Sequence, residues 1–198
     1  MKKSLFGAFF TAIILMAGQG AQAELQDGID AYEKGNYSAA LKEFKRLAAK
    51  GDAVAQSALG FMYVGGQGVP QDYKKAAVWY RKAAEQGHAG SQSNLGVMYA
   101  NGQGVPQNDG EAASWYRKAA EQGYAPAQFN LGVMYANGQG VAQDMVQAHK
   151  LFSLAEKTVG EDATNNRKLV EATMNPQQLE EAQGLAREWA EKHGHSAK

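Results

Sequence analysis

The side chains able to do chemistry are few, and most of them recur. His88, His149, His193 and His195 are the four imidazoles, and no cysteine is present. Without thiols there is no disulfide, thiolate nucleophile or Cys-ligated zinc. His193 and His195 have a spacing able to hold a metal, but a solvated terminus is the simpler account. The Gly66-Gln67-Gly68 and Gly102-Gln103-Gly104 loops could cradle a phosphate, yet no strand leads into them as a nucleotide fingerprint requires. The Trp79/Tyr80 and Trp115/Tyr116 pairs could stack on a sugar ring. Glu85 and Glu121 could act as acids or bases. The loops, the Trp/Tyr pairs and the two glutamates repeat at one fixed spacing, which assigns them to architecture and not to a single site, whereas the four histidines are scattered at unequal repeat positions. No G-x-S-x-G, H-E-x-x-H, S-x-x-K or P-loop pattern occurs. The sequence therefore predicts no catalytic residue, no cofactor and no metal site.

The spacing that absorbs these residues is 36. Trp79 to Gly87 recurs identically as Trp115 to Gly123, and Asn94 to Val105 recurs identically as Asn130 to Val141. Full units run over 52–87, 88–123 and 124–159. Each reads as helix–loop–helix. A first helix, near Ala89 to Ala100 in the second unit, buries Ser91, Leu95, Met98 and Tyr99 on one face. Gly96 permits a neighbouring helix to come close. Asn-Gly-Gln-Gly ends that helix, and Pro106 stiffens the loop. Asp72, Asn108 and Asp144 cap the second helix, which Gly51, Gly87 and Gly123 terminate. Such a hairpin cannot bury its apolar face alone, so the stack is the folding unit.

The flanks read as variations on this unit. Residues 24–51 form a divergent helical hairpin, with a helix from about Leu25 to Glu33 and a second bearing Ala40 and Phe44. Residues 160–198 form capping helices and a tail. One helix covers Glu161 to Thr173. The other opens at Asn175-Pro176 and carries an apolar stripe of Leu179, Ala182, Leu185, Ala186 and Trp189. Residues 1–23 read as a bacterial signal peptide: Lys2-Lys3, an apolar run from Leu5 to Ala17, and an Ala21-Gln22-Ala23 site with cleavage after Ala23. An uncleaved anchor is the competing reading, although the run is short for a membrane span. The mature protein is thus expected in the periplasm or outside the cell. The formal net charge of zero leaves no basic excess to neutralise a phosphate backbone, which argues against nucleic-acid binding.

The repeat resembles that of the Sel-one-like repeat (SLR) family, relatives of tetratricopeptide repeats. Ala55, Leu59, Gly60, Met62, Tyr63, Gly68, Val69, Pro70, Asp72, Ala76, Trp79, Tyr80, Ala83 and Gly87 carry the resemblance. The second unit departs at Ser91 and Asn108, and the third at Ala142, Leu151 and Phe152. The resemblance implies an all-α, right-handed superhelical solenoid engaged in protein–protein interaction. Regulators of signalling complexes, host-interaction factors and periplasmic immunity proteins against toxins are among the roles it implies. A penicillin-binding subgroup is rich in cysteine, which this chain lacks.

In such solenoids the first helix of each unit lines the concave face. Positions opposite its core side are Ser57, Phe61 and Val64 in the first unit, Ser93, Val97 and Asn101 in the second, and Phe129, Val133 and Asn137 in the third. They suit a protein or peptide laid along the stack. The same side chains suit packing between adjacent repeats, and the sequence leaves both readings open. The expected function is an exported interaction scaffold with no enzymatic activity. A hydrolase acting on cell wall or β-lactams is the alternative.

Overall fold

The computed structural model describes residues 19–194. The signal-peptide features before residue 19 and His195 lie outside the described residues. Ten helices and no strands make up the described chain: α1 (Gln19–Glu33), α2 (Tyr37–Ala49), α3 (Ala53–Gly65), α4 (Tyr73–Glu85), α5 (Ala89–Asn101), α6 (Asp109–Glu121), α7 (Ala125–Asn137), α8 (Met145–Val159), α9 (Glu161–Glu171) and α10 (Pro176–Lys192). Each helix from α1 to α8 packs mainly on its sequence neighbours, and α9 and α10 both close on α8. The molecule is an all-α solenoid of stacked hairpins, with no core shared between distant units.

The polar signals set the helix ends where the sequence places them. Asp72, Asn108 and Asp144 each accept a hydrogen bond from the backbone N–H three residues on. Asn175 and Gln178 form a reciprocal capping box at the start of α10. The first helix differs from expectation: it begins at Gln19, not near Leu25, and so runs through Ala21-Gln22-Ala23. Ala21, Gln22 and Ala23 are good helix formers, and the helix continues through Gly20 to Gln19 despite the weaker propensity of glycine.

Inside each hairpin, one aromatic ring lies on a glycine. A Cβ built on Gly60 would stand 2.6 Å from the Tyr80 ring, one on Gly96 2.7 Å from Tyr116, and one on Gly132 2.8 Å from Phe152. The N-terminal hairpin repeats the arrangement with Gly28 and Phe44 at 2.7 Å. Phe44 and Phe152 are fully buried, and Tyr80 and Tyr116 nearly so. Leu59, Met62, Leu95 and Met98 complete the cores around them. Tyr99, expected in the core, is only half-buried. Its hydroxyl takes a hydrogen bond from Arg81 of the preceding unit.

Buried glutamines tie one hairpin to the next. Gln56, Gln92 and Gln128 lie at one repeat position and donate to the carbonyls of Ala48, Ala84 and Ala120 in the preceding unit. Gln86 and Gln122 reach back to Gln56 Oε1 and Gln92 Oε1 at 2.7 Å. A buried amide without partners costs about 1–3 kcal/mol, so this ladder also fixes the register between units. The loops interlock too. Gly104 has φ +73°, and a Cβ there would collide with the backbone of Tyr73 and Lys74 at the start of α4.

Two histidines are buried. His88 caps α5 as a hydrogen-bond acceptor: its Nδ1 receives the Ser91 N–H at 3.1 Å. His149 stands where the earlier units carry Ala77 and Ala113, and neither ring nitrogen has a hydrogen-bond partner. Its Nε2 lies 3.8 Å from Glu171, which Arg167 already engages at 2.7 Å. Burial holds the His88 pKa below the usual histidine value, against a small opposing pull from Asp52. Burial, then Arg167, holds that of His149 down against Glu171 and Glu156.

Two predictions follow from this packing. Gly96→Ala should lower stability in urea by about 1–3 kcal/mol through overpacking on Tyr116, although alanine is the better helix former. Gly184→Ala, in α10 with its nearest neighbour 4.0 Å away, should raise stability by about 0.5–1 kcal/mol. Equal effects at both sites would show that the glycine–ring contact is not tight. For pH, the folded state takes up fewer protons at His88 and His149 than the unfolded chain. Stability should therefore be complete above about pH 6.5 and fall as pH drops below it. The double variant His88→Asn/His149→Ala should flatten the stability difference between pH 7.5 and pH 5.5. An unchanged slope would assign it to other groups.

Candidate functional site

Helices α3, α5 and α7 each pack on two second helices, their own and that of the preceding unit. Only a narrow stripe of each remains for solvent. This geometry redistributes the residues expected on the binding face. Ser57 and Ser93 are buried, 4% and 3% exposed, and so do not belong to the surface. The helical projection placed them opposite one packing partner; the second partner covers them. The Phe129 ring lies 5.7 Å from that of Phe152 and joins the cores around Ala155, Ala163 and Val170. The Phe61 ring is 6.2 Å from Tyr32 of the N-terminal hairpin, with 36% of the residue exposed. Phe61 thus packs between hairpins, and Phe129 packs within its own hairpin and against the capping helix α9.

Val64, Val97 and Val133 are half-buried, and Asn101 and Asn137 are exposed at the ends of α5 and α7. Two of these, Asn101 and Val133, meet at one cavity of about 260 Å³ between the second and third units. Asn130, Asp109, Tyr116 and Gln139 line it with them. Asn108 caps α6 and fixes Asp109 as its first residue, in the lining of the cavity. Burial pushes the Tyr116 phenol up to about 12, so it stays neutral and can only share hydrogen bonds. Val133 and Met134 supply the apolar wall.

The sequence reading missed Asp109, Asn130 and Gln139. Asp109 carried a signal, because the first residue of the second helix is Tyr37 and Tyr73 in the two preceding hairpins. Those tyrosines pack into the cores beside them, Tyr37 with its ring 5.2 Å from Tyr32. An aspartate at the same place leaves the space open.

The other sequence candidates are engaged in structure. Lys118 Nζ sits 3.9 Å over the Trp115 ring and Lys82 Nζ 4.4 Å over Trp79, covering the faces a sugar would use. The Gly-x-Gly loops approach the backbone of the preceding unit, where an anion would have to enter. His193 stacks on Trp189 with ring centroids 4.0 Å apart. Among the described residues, no group of three or more His, Asp or Glu side chains could hold a metal ion, and no helix is long and apolar enough to cross a membrane.

Comparison with known proteins bears on what this stack is for. The Sel1 repeat family matches residues 53–88, 89–124 and 125–157. Among solved structures, the chain is similar to a protective antigen of uropathogenic Escherichia coli strains displaying an SLR fold. The identity is 33% and the TM-score 0.73, over 89% of this chain and 42% of that one. It is also similar to a Sel1 repeat protein from Oxalobacter formigenes. There the identity is 34% and the TM-score 0.70, over 73% of this chain and 60% of that one. The chain thus spans less than two thirds of either structure. No curated protein matches it.

Proposed function

The chain belongs to the Sel1 repeat family, whose members generally mediate protein–protein interaction, and from that premise we propose that it is an exported scaffold holding a protein or peptide partner along the solvent stripe of α3, α5 and α7. The observation that carries this reading is the division of labour between positions. Gly60, Gly96 and Gly132, the ring laid on each, and Gln56, Gln92 and Gln128 are committed to the hairpin cores and the glutamine ladder. The stripe, by contrast, ends in exposed Asn101 and Asn137, keeps Val64, Val97 and Val133 half-open, and leads into a cavity made by a departure from the repeat. A binding surface needs this combination of apolar contact and polar rim.

Export rests on the sequence. Lys2-Lys3, the apolar run and Ala21-Gln22-Ala23 have the order of a cleavable signal. Cleavage after Ala23 leaves Glu24 as the first residue, and its carboxylate lies 3.0 Å from Arg46 of α2 and 3.6 Å from Lys50, which caps the C-terminus of that helix. The new terminus is therefore held to the first hairpin. A periplasmic regulator or an immunity protein against a toxin would be special cases of this scaffold.

Photocrosslinking tests the assignment. A benzoylphenylalanine at Val97 or Val133, in chain exported by its native host, should give discrete protein adducts. The same group at Val78, 54% exposed on α4, should give none. Adducts at Val78 with none at Val97 and Val133 would move the binding surface to the second helices and overturn the reading.

A further inference from the structure

The cavity between the second and third units has a chemistry more specific than the stripe around it. Its one ionised side chain is Asp109, and among the described residues no basic nitrogen pairs with that carboxylate. Asn101, Gln107, Asn130 and Gln139 line the same cavity with amides, whose carbonyl oxygens accept hydrogen bonds, and Val133 lines it with an apolar side chain. The volume of about 260 Å³ falls just below the ~300–1,000 Å³ of small-molecule sites, and fits one long side chain. A single carboxylate among neutral amides is too poor in charge for Ca²⁺ or Mg²⁺, which use several oxygen ligands in a fixed geometry. An anion would meet the carboxylate directly.

We propose that this cavity is a socket for one arginine side chain of the partner. The claim rests on the reading of the α3, α5 and α7 stripe as the partner-binding face. The guanidinium is flat and carries five N–H donors, so it can pair with Asp109 through two hydrogen bonds and still donate to the flanking amides. Its methylene stem lies against Val133. Lysine offers a compact, strongly hydrated ammonium with no such fork. The socket occurs between these units because Asp109 replaces the tyrosine found at 37 and 73. It thereby fixes where along a regular stack the partner sits.

The test is an amide chemical-shift titration of the mature chain with N-acetyl-arginine methylamide, its lysine counterpart and its citrulline counterpart. The arginine compound should give saturable shifts at Gly110, Asn130 and Val133, with Kd on the order of 1 mM. The lysine compound should bind several-fold more weakly, and the citrulline compound, which lacks the charge, should not bind. Asp109→Asn should weaken arginine binding at least about tenfold, or 1.4 kcal/mol. Asp109→Tyr, which restores the residue of the earlier units, should block it with the fold intact. Equal binding of all three compounds, wild-type affinity in Asp109→Asn, or shifts that map elsewhere would each overturn the socket. If crosslinks form at Val97 and Val133 while the arginine compound fails, the socket falls and the scaffold stands. If arginine binds through Asp109 while crosslinks form only at Val78, the scaffold reading falls instead.

Discussion

A ring laid on a glycine holds each hairpin together, and the rest of the solenoid depends on it. Gly28, Gly60, Gly96 and Gly132 each meet one aromatic side chain at a distance that leaves no space for a methyl group. The contact brings the two helices of a unit close enough for alanines to form most of the remaining interface. Ala76, Ala83, Ala112, Ala119, Ala148 and Ala155 are all fully buried. Cores this rich in small residues gain little area per side chain, so their stability comes from close packing over many short contacts. The aromatic ring supplies the bulk that alanine lacks.

Stacking adds a second constraint, and it is polar. The buried glutamines cross each junction from one first helix to the carbonyl of the preceding second helix. They make adjacent units mutually dependent in orientation, which apolar contact alone would leave loose. The ladder ends at the third unit, where Thr158 stands in place of Gln122. There α9 and α10 take over and close the stack on α8. A regular stack has no reason to hold a partner at one place instead of another. Departures such as Asp109 supply that reason, and they are affordable because the repeated positions carry the fold.

Much of this was legible in the sequence. The period, the caps at Asn108 and Asn175, and the close approach at Gly96 follow from residue types whose local chemistry allows few alternatives. The binding face was less legible, because a helical projection describes one helix beside one partner. Ser57 and Ser93 look like surface residues until the preceding unit covers them. Phe61 and Phe129 look surplus to the core until the Tyr32 and Phe152 rings are placed beside them. The cavity was hidden for another reason. Asp109 is unremarkable as a first-turn acid, and only alignment with Tyr37 and Tyr73 shows that something is missing there. The glutamine ladder recurs at the period as plainly as the glycines do, but glutamine is usually exposed and does not announce burial.

The glycine–ring contacts and the glutamine ladder hold the fold, while the polar side chains of the cavity are released from it. An unfolding free-energy scan by urea across both sets tests this most directly. Substitutions at Gly60, Gln92, Tyr116 and Gly132 should each cost more than about 1 kcal/mol, whereas Asn101, Asp109, Asn130 and Gln139 to alanine should stay within about 0.5 kcal/mol of the parent. Polar cavity residues that prove as costly to change as the glycine–ring contacts would contradict the claim, because Asn101, Asp109, Asn130 and Gln139 would then be structure as well.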